Sequence, residues 1–239
     1  MITNQTTDFS GLDFSAGESI LIDKPLKFTS FKVVHSIKKA IKVKRVGHTG
    51  TLDPMATGLL IILTGKNTKL MTDFLGMQKS YTGIILLGKT SPSMDTETEM
   101  ESKDIPSELT DEIILKTRDK FLGDISQVPP MYSALKVGGK KLYELARKGK
   151  SIKREPRTVH ISRFEITKID MPEIHFEVDC SKGTYIRVLA NDFGDVLNCG
   201  GVLSSLRRIA IGDYKVENAL NLKDFTDKFT VQNKSELYK

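Results

Sequence analysis

A glycine-rich turn followed by a carboxylate and a proline is the part of this chain whose residue types and spacing could perform chemistry. Residues 47–63 read GHTGTLDPMATGLLIIL, so that Asp53 stands directly before Pro54 and an apolar run follows. An ionised Asp can act as a nucleophile or stabilise a cationic sugar centre, but burying it unpaired is costly. We therefore expect Asp53 either to cap a helix or to be held in place for a reaction.

A carboxylate that stays ionised beside an apolar core needs a positive charge within about 4–6 Å. The sequence offers Lys24, Arg45 and Arg187 for that role. An aromatic ring such as Tyr81 or Tyr185 is the usual surface that receives an RNA base taken out of its stack. A lone tyrosine at a strand start is also typical of core packing, so the residues alone leave both interpretations open.

Positive charge is concentrated in two stretches of a chain whose net charge is +6. Residues 32–45 hold six Lys or Arg and no acid, and residues 136–157 hold nine against two glutamates. Binding of a polyanion such as nucleic acid requires concentrated positive charge, because each neutralised phosphate releases counterions. Two solvated helix faces would give the same pattern, so charge alone does not decide between them.

The N-terminal half contains the elements that must position Asp53. Residues 19–23 predict a short strand that ends before Lys24-Pro25. Thr29 or Ser30 can cap an amphipathic helix whose apolar side chains follow the 3.6-residue period. Asp53 with Pro54 predicts a cap and a short helix, followed by a buried strand over residues 59–63.

The remaining elements predict an α+β domain. Strand patterns recur without a regular βαβ rhythm, so a mixed, largely antiparallel sheet flanked by helices and loops is favoured. The helix after residue 183 has Thr184 as its expected cap, and residues 91–112 are expected to be an exposed acidic excursion. The other predicted elements are strands at 81–88, 174–180 and 206–211, a charged loop over 128–150, and a helix around 142–147.

Several classes of protein lose support from what the sequence lacks. It has no G-x-G-x-x-G, complete phosphate loop, G-x-S-x-G or H-E-x-x-H motif. Its two cysteines and four histidines do not fall at zinc-ligand spacings. The polar N-terminus lacks the pattern of a signal peptide, and no window approaches the roughly 20 apolar residues that cross a bilayer. We expect a cytoplasmic protein with free thiols.

Six ordered blocks, spanning roughly residues 18–216, resemble the TruB family of synthases that make pseudouridine in the T loop of tRNA. GHTGTLDPMATGLL resembles the catalytic motif of that family. The N-terminal motif departs from the family at Lys27 (DKPLKFTS), where glycine is usual. The other blocks are LIDKP with Thr29-Ser30, KSYTG, QVPPMYSALKVGGKKLYELARKG, CSKGTYIRVLANDFG and, as the last, LSSLRRIAIG.

The resemblance implies a role for each matching position. Asp53 would be the catalytic aspartate that acts on a flipped-out uridine, and Arg187 its ion-pair partner. Tyr81 would lie against the uracil and take part in proton transfer. His48 would enter the T loop to displace the base, although a loop histidine is also typical of an ordinary hydrogen-bonded turn. The expected substrate-binding residues are His48, Tyr185, Leu206, Lys24, Lys140 and Lys141.

The same resemblance implies the organisation of the protein. We expect residues 1–239 to form a single pseudouridine synthase domain, with an insertion at about 128–154 that closes over the T arm of tRNA and without a C-terminal PUA domain. The isomerisation of position 55 needs no metal or cofactor, since no electron or water is transferred. We expect a monomer without an obligatory protein partner. The alternatives are a protein that grips and refolds the tRNA elbow, or a guide-dependent synthase.

Overall fold

The computed structural model describes residues 1–235, and the side chains of residues 1–229. The chain forms two compact units: the first is Met1–Tyr81 with Arg207–Lys239, and the second is Thr82–Leu206. The helices are α1 Ser30–Ile41, α2 Met71–Gly76, α3 Asp111–Asp119, α4 Leu142–Ala146, α5 Ile186–Val196 and α6 Leu222–Ser235, with 3-10 turns at Gly65–Leu70 and Val216–Asn218.

The chain passes from the first unit to the second and back within two of its strands. β4 and β12 contain the boundaries of the two units. The strands are β1 Ser19–Lys24, β2 Val46–His48, β3 Ala56–Thr64, β4 Lys79–Leu87, β5 Lys89–Thr90, β6 Glu101–Ser102, β7 Gly123–Gln127, β8 Lys136–Val137, β9 Lys140–Lys141, β10 Arg157–Asp170, β11 Glu173–Cys180, β12 Gly201–Ile211, β13 Tyr214–Lys215 and β14 Leu220–Asn221.

The first unit is built on the pairing of β1 with β3. The two strands run antiparallel from Ser19 opposite Leu63 to Lys24 opposite Gly58. β14 adds to β1 in parallel, and β2 adds to β3 antiparallel. The predicted amphipathic helix is confirmed as α1, where the Thr29 hydroxyl accepts from Lys32 N at the amino end and Ile37 is fully buried. Aromatic side chains of the N-terminal segment and α6 complete this core.

The second unit is built on the long hairpin of β10 and β11. β10 pairs antiparallel with β11 on one side and with β7 on the other. α5 contributes Phe193 to its aromatic core, in which Phe164 packs edge-on against Phe176 and Phe193. Most apolar side chains of α5 are buried, whereas Val196 at its end is exposed.

The predicted fold class is confirmed, since antiparallel pairs dominate and β1 with β14 is parallel. The helix expected after Asp53 is wrong: residues 54–55 form a turn, because β3 begins at Ala56 and its main chain is already committed to pairing near Gly58. Thr184 does not cap α5; its hydroxyl donates to Ser181 O. Among the described residues no helix has the length and apolar character of a membrane span.

The segment predicted to be an exposed acidic excursion, residues 91–112, is exposed over most of its length but not at its start. Ser93 and Asp95 lie within it and are 0% and 3% exposed. Asp95 forms an isolated parallel bridge with Leu203, and its side chain accepts hydrogen bonds from the Ser93 hydroxyl and Glu97 N. A polar segment is therefore folded into the second unit at this point.

Candidate active site

Asp53 lies in a short loop, residues 49–58, which we call the Asp53 loop. Its main chain is held on both sides of the carboxylate. Thr49 N donates to Ile61 O at 3.0 Å, and Ala56 N closes the turn on Asp53 O at 3.1 Å. The buried Ser30 hydroxyl accepts from Leu52 N at 2.8 Å and donates to Leu52 O at 3.1 Å. A half-buried carboxylate on so fixed a backbone has little freedom to reorient.

Lys24 lies against this loop. Its side chain is 0% exposed, and Nζ donates to the carbonyl oxygens of Phe28 at 2.6 Å, Pro25 at 3.1 Å and Pro54 at 3.4 Å. Burial lowers the pKa of Lys24 to about 8, against the opposing effect of the Asp53 charge, which favours the ammonium. The structure thus gives the Asp53 loop a buried positive charge. Direct contact of Lys24 with a substrate stays a prediction.

Arg208, in β12, binds the main chain on both sides of Asp53. It is 1% exposed, and it donates from Nε to Leu59 O at 2.7 Å and from Nη2 to Gly50 O at 3.2 Å. One guanidinium therefore fixes the main chain before and after Asp53. The backbone of Gly58 passes so close to Arg208 that a Cβ there would lie 2.3 Å from Arg208 O, and its φ of 103° also requires glycine.

Two other predicted residues of the first unit have defined environments. His48 ends β2, where burial and the neighbouring Arg208 charge lower its pKa. It is therefore a neutral imidazole at pH 7. Tyr81 lies in β4 and is 8% exposed, so most of its ring belongs to the core. The structure thus brings Asp53, Lys24 and His48 to one region around Arg208, a residue that the sequence analysis placed on a strand without a role.

In the second unit, Arg187 occupies a closed site that we call the Arg187 socket. It lies in the first turn of α5 and is 4% exposed. Nη1 donates to Ser93 O at 2.8 Å and Nη2 to Tyr132 O at 2.7 Å, while Nε lies 3.5 Å from Asp95 Oδ2. The guanidinium is held in one orientation by two carbonyl groups and a buried carboxylate. Sequence reasoning missed Asp95, since its polar neighbours are typical of a surface.

Tyr185 precedes Arg187 and is held by two side chains of the second unit. The buried Gln127 amide accepts from Tyr185 N at 3.0 Å and donates to Tyr185 O at 3.2 Å. The Arg157 guanidinium lies 4.6 Å from the centre of the Tyr185 ring, and it also donates to Gly183 O. Leu206 ends this unit and is 9% exposed.

Residues 128–154, the segment predicted to be an insertion, contain the β8–β9 hairpin and α4. Lys140 is exposed, whereas the Lys141 ammonium donates to the Tyr143 hydroxyl at 3.4 Å. Arg147 forms an ion pair of 3.0 Å with Glu97. Most other basic side chains of residues 136–154 are exposed and therefore available to a polyanion. The predicted pairing of Asp53 with Arg187 would join residues of different units and stays a prediction.

The described residues contain no group of three or more His, Cys, Asp or Glu side chains that could hold a metal ion. The groups around Asp53 are instead an ammonium and a guanidinium, which donate hydrogen bonds to main-chain carbonyls. Such a set suits control of a carboxylate's charge and position.

Comparison with known proteins gives matches over most of the chain. Residues 38–186 match the family described as TruB family pseudouridylate synthase (N terminal domain), and residues 187–238 match the tRNA pseudouridylate synthase B C-terminal domain. A protein of Flavobacterium johnsoniae named tRNA pseudouridine synthase B is 48% identical over 223 residues, which are 90% of this chain and 97% of that protein. The protein of the same name from Phocaeicola vulgatus is 42% identical, over 95% of this chain and 99% of its own length.

A solved structure gives an independent match to the fold. A chain of a Cbf5-Nop10-Gar1 complex superposes with a TM-score of 0.72 at 28% sequence identity. The match covers 93% of this chain, and this chain spans 57% of that one. The sequence comparison and the structure comparison thus each match at least 90% of this chain.

Proposed function

The chain belongs to the TruB family of pseudouridylate synthases, and on that premise we propose that it converts the uridine at position 55, in the T loop of tRNA, to pseudouridine. The relatives named tRNA pseudouridine synthase B support tRNA as the substrate. The concentrated positive charge of residues 32–45 and 136–157 supports a polyanionic partner. The observation that carries the proposal is a carboxylate, Asp53, on an immobilised loop beside the buried charge of Lys24.

Asp53 is the nucleophile in this proposal. Its carboxylate adds to the target nucleotide, and the bond between N1 of uracil and C1′ of ribose breaks. The uracil turns, a bond forms between C5 and C1′, and the bond between the Asp53 carboxylate and the nucleotide breaks, which releases the carboxylate. C5 loses its proton and N1 gains one, so that atoms and electrons balance without a cofactor. The nucleophile must be ionised at the start, and the Lys24 ammonium favours that form.

Arg187 is the proposed ion-pair partner of Asp53. Its guanidinium is already fixed by Ser93 O, Tyr132 O and Asp95, so little reorganisation accompanies its action on a carboxylate. Arg187 would keep Asp53 ionised and oriented during the bond exchange.

The other predicted residues receive the substrate in this proposal. A base must leave its stack before an enzyme can act on it, and Tyr81 is the ring against which the uracil would lie. His48, as a neutral imidazole, would take the place of the displaced base in the T loop. Tyr185 and Leu206 would line the pocket, while Lys24, Lys140 and Lys141 would contribute positive charge. We propose one catalytic domain whose insertion, at about 128–154, closes over the T arm.

The variant Asp53→Asn tests the proposed nucleophile. It keeps the shape and hydrogen-bonding capacity of the side chain but removes the negative charge, so we expect loss of pseudouridine formation by at least about 10⁴-fold. The assay is carbodiimide mapping of pseudouridine by primer extension on a T-arm stem-loop and on total tRNA. Binding, measured by gel shift, should change by less than a few fold.

The matched control is Asp73→Asn, which removes an exposed carboxylate from α2 of the same unit. It should retain the activity of the unaltered protein. Full activity of Asp53→Asn would overturn the assigned nucleophile. Unaltered protein that binds the stem-loop but makes no pseudouridine would favour a protein that only grips and refolds the tRNA elbow.

A further inference from the structure

Lys27 has a backbone conformation that lysine rarely adopts. Its φ is 63°, in the left-handed region that favours glycine. The strained position lies directly against the Asp53 loop, because Lys27 N donates to Pro54 O at 2.8 Å. Glycine would make the same main-chain hydrogen bond without the strain. The side chain of Lys27 must therefore contribute something that this bond does not.

Within the described residues, the Lys27 side chain makes no ion pair or hydrogen bond. It is exposed, and the segment from residue 24 to residue 45 contains Lys and Arg but no acid. Strain that is retained without a local interaction is typical of a residue whose partner arrives from outside.

An exposed aromatic ring lies on the same short segment. Phe31, in the first turn of α1, is 76% exposed, and Leu26 beside Lys27 is 49% exposed. Phe31 directly follows Ser30, whose hydroxyl is bonded to the main chain next to Asp53. The segment that presents Lys27 and Phe31 is consequently fixed to the Asp53 loop at Leu52 and at Pro54.

We propose that Lys27 and Phe31 form a binding surface for the RNA strand beside the target nucleotide. The Lys27 ammonium binds a backbone phosphate, and the Phe31 ring stacks on a base. This inference rests on the proposed function and names a part of the substrate contact. Positive charge on a segment that itself contains no acid, combined with one exposed ring, fits a nucleic acid strand better than an apolar protein surface.

Lys27→Gly separates binding from stability. The substitution removes the strain, so the melting temperature should rise, while KM for a T-arm stem-loop should rise about 3–10-fold with kcat within twofold. The slope of log affinity against log salt should become shallower by about one, the effect of one lost phosphate contact. Lys27→Arg should restore KM and slope. A residue that served only the fold would not lose affinity while it gained stability.

Two controls separate charge and strain from binding. Lys116→Gln removes an exposed lysine that is paired with Glu112 on α3, and it should leave the salt slope unchanged. Asn198→Gly removes a left-handed residue with a φ of 57°, and it should leave KM unchanged. An unaltered KM and salt slope in Lys27→Gly would overturn the role of Lys27 while leaving the proposed function intact.

Phe31→Ala should raise KM severalfold without changing the salt slope, because stacking releases no counterions. Phe31→Tyr, which keeps the ring, should restore the affinity. Equal affinity of Phe31→Ala and the unaltered protein would overturn the stacking contact. If the unaltered protein made no pseudouridine in tRNA, the proposed function itself would fail, and that outcome is measured separately from the variants.

Discussion

The Asp53 loop and the Arg187 socket hold oppositely charged side chains by different means. In the socket, the buried guanidinium has a buried carboxylate, Asp95, at 3.5 Å as well as two carbonyl groups. Next to the Asp53 loop, the buried Lys24 and Arg208 donate only to main-chain carbonyls among the hydrogen bonds described for them. The positive charge of these two side chains is therefore balanced mainly by carbonyl dipoles, which favours an ionised Asp53.

The comparison teaches that the two regions should respond differently to loss of a charge. Breaking a buried ion pair leaves the partner charged and desolvated, and it typically costs about 3–5 kcal/mol. Removing an ammonium that faces carbonyl dipoles leaves polar groups without donors but also removes a desolvated charge. Substitutions in the Arg187 socket should therefore lower stability and activity together. Substitution of Lys24, next to the Asp53 loop, should instead change how stability depends on pH.

Among the variants of the basic side chains in these two regions, Arg187→Met is expected to have the largest effect on both activity and stability. It should lower kcat by about 10²–10³-fold, through loss of the fixed guanidinium, and lower the free energy of unfolding by about 3–5 kcal/mol, since Asp95 is left buried. Pseudouridine assays and urea denaturation would measure the two effects. In the double variant Arg187→Met/Asp95→Asn, part of the stability should return and the activity should not. A fully active Arg187→Met would remove the proposed ion pair.

Lys24→Met should reveal the pH dependence of the loop. The pKa of Lys24 is lowered from 10.5 to about 8 in the folded protein, mainly by burial. Between pH 8 and 10.5 the unfolded chain binds the proton that the folded protein has released, so stability rises with pH. Below pH 8 the charged ammonium costs about 3 kcal/mol, a cost that is relieved across this window.

The unfolding free energy of the unaltered protein should thus rise by about 3 kcal/mol relative to that of Lys24→Met between pH 8 and 10.5. Urea denaturation at several pH values measures it, with Lys69→Met, an exposed lysine of the same unit, as the control that should show no such window. A constant difference across the window would show that the ammonium of Lys24 is not desolvated as the structure indicates.

The same comparison shows which features could be predicted from the sequence. α1 follows from a cap at Thr29 and an apolar period that ends in Ile37 and Ile41, because those signals are local. The strand after Asp53 was also predicted, but not that it extends back from Leu59 to Ala56. Part of this extension, Gly58, pairs with Lys24 of β1, far away in the chain. The local sequence Asp53-Pro54 is typical both of a helix cap and of a tight turn, so it could not distinguish the two.

Asp95 and Arg208 lay beyond the reach of sequence reasoning for a related reason. Asp95 lies among polar residues and is buried only through its bridge to Leu203 and its place beside Arg187. Arg208 lies on a strand next to Arg207, which is half-exposed and bonded to Asp23 at 2.7 Å. Nothing local distinguishes the two arginines, because the contacts that separate them are made by residues about 150 positions earlier in the chain.

His48→Asn is expected to give the smallest effect on stability, because His48 is only half-buried. Burial and the Arg208 charge lower the pKa of His48 below 6.5, so the folded protein binds this proton less readily than the unfolded chain does. The unaltered protein should therefore lose stability as the pH falls below 6.5, and His48→Asn should lose less.

Thermal denaturation of both proteins between pH 5 and 8 checks this expectation. Any change in the activity of the unaltered protein that comes from this imidazole should lie below pH 6.5, since the pKa of His48 is lowered. His35→Asn, in which an exposed histidine of α1 is replaced, serves as the control. If His48→Asn and the control lost stability equally below pH 6.5, the electrostatic influence of Arg208 would not extend to His48, and the positive charge of the Asp53 loop would be confined to its immediate main-chain contacts.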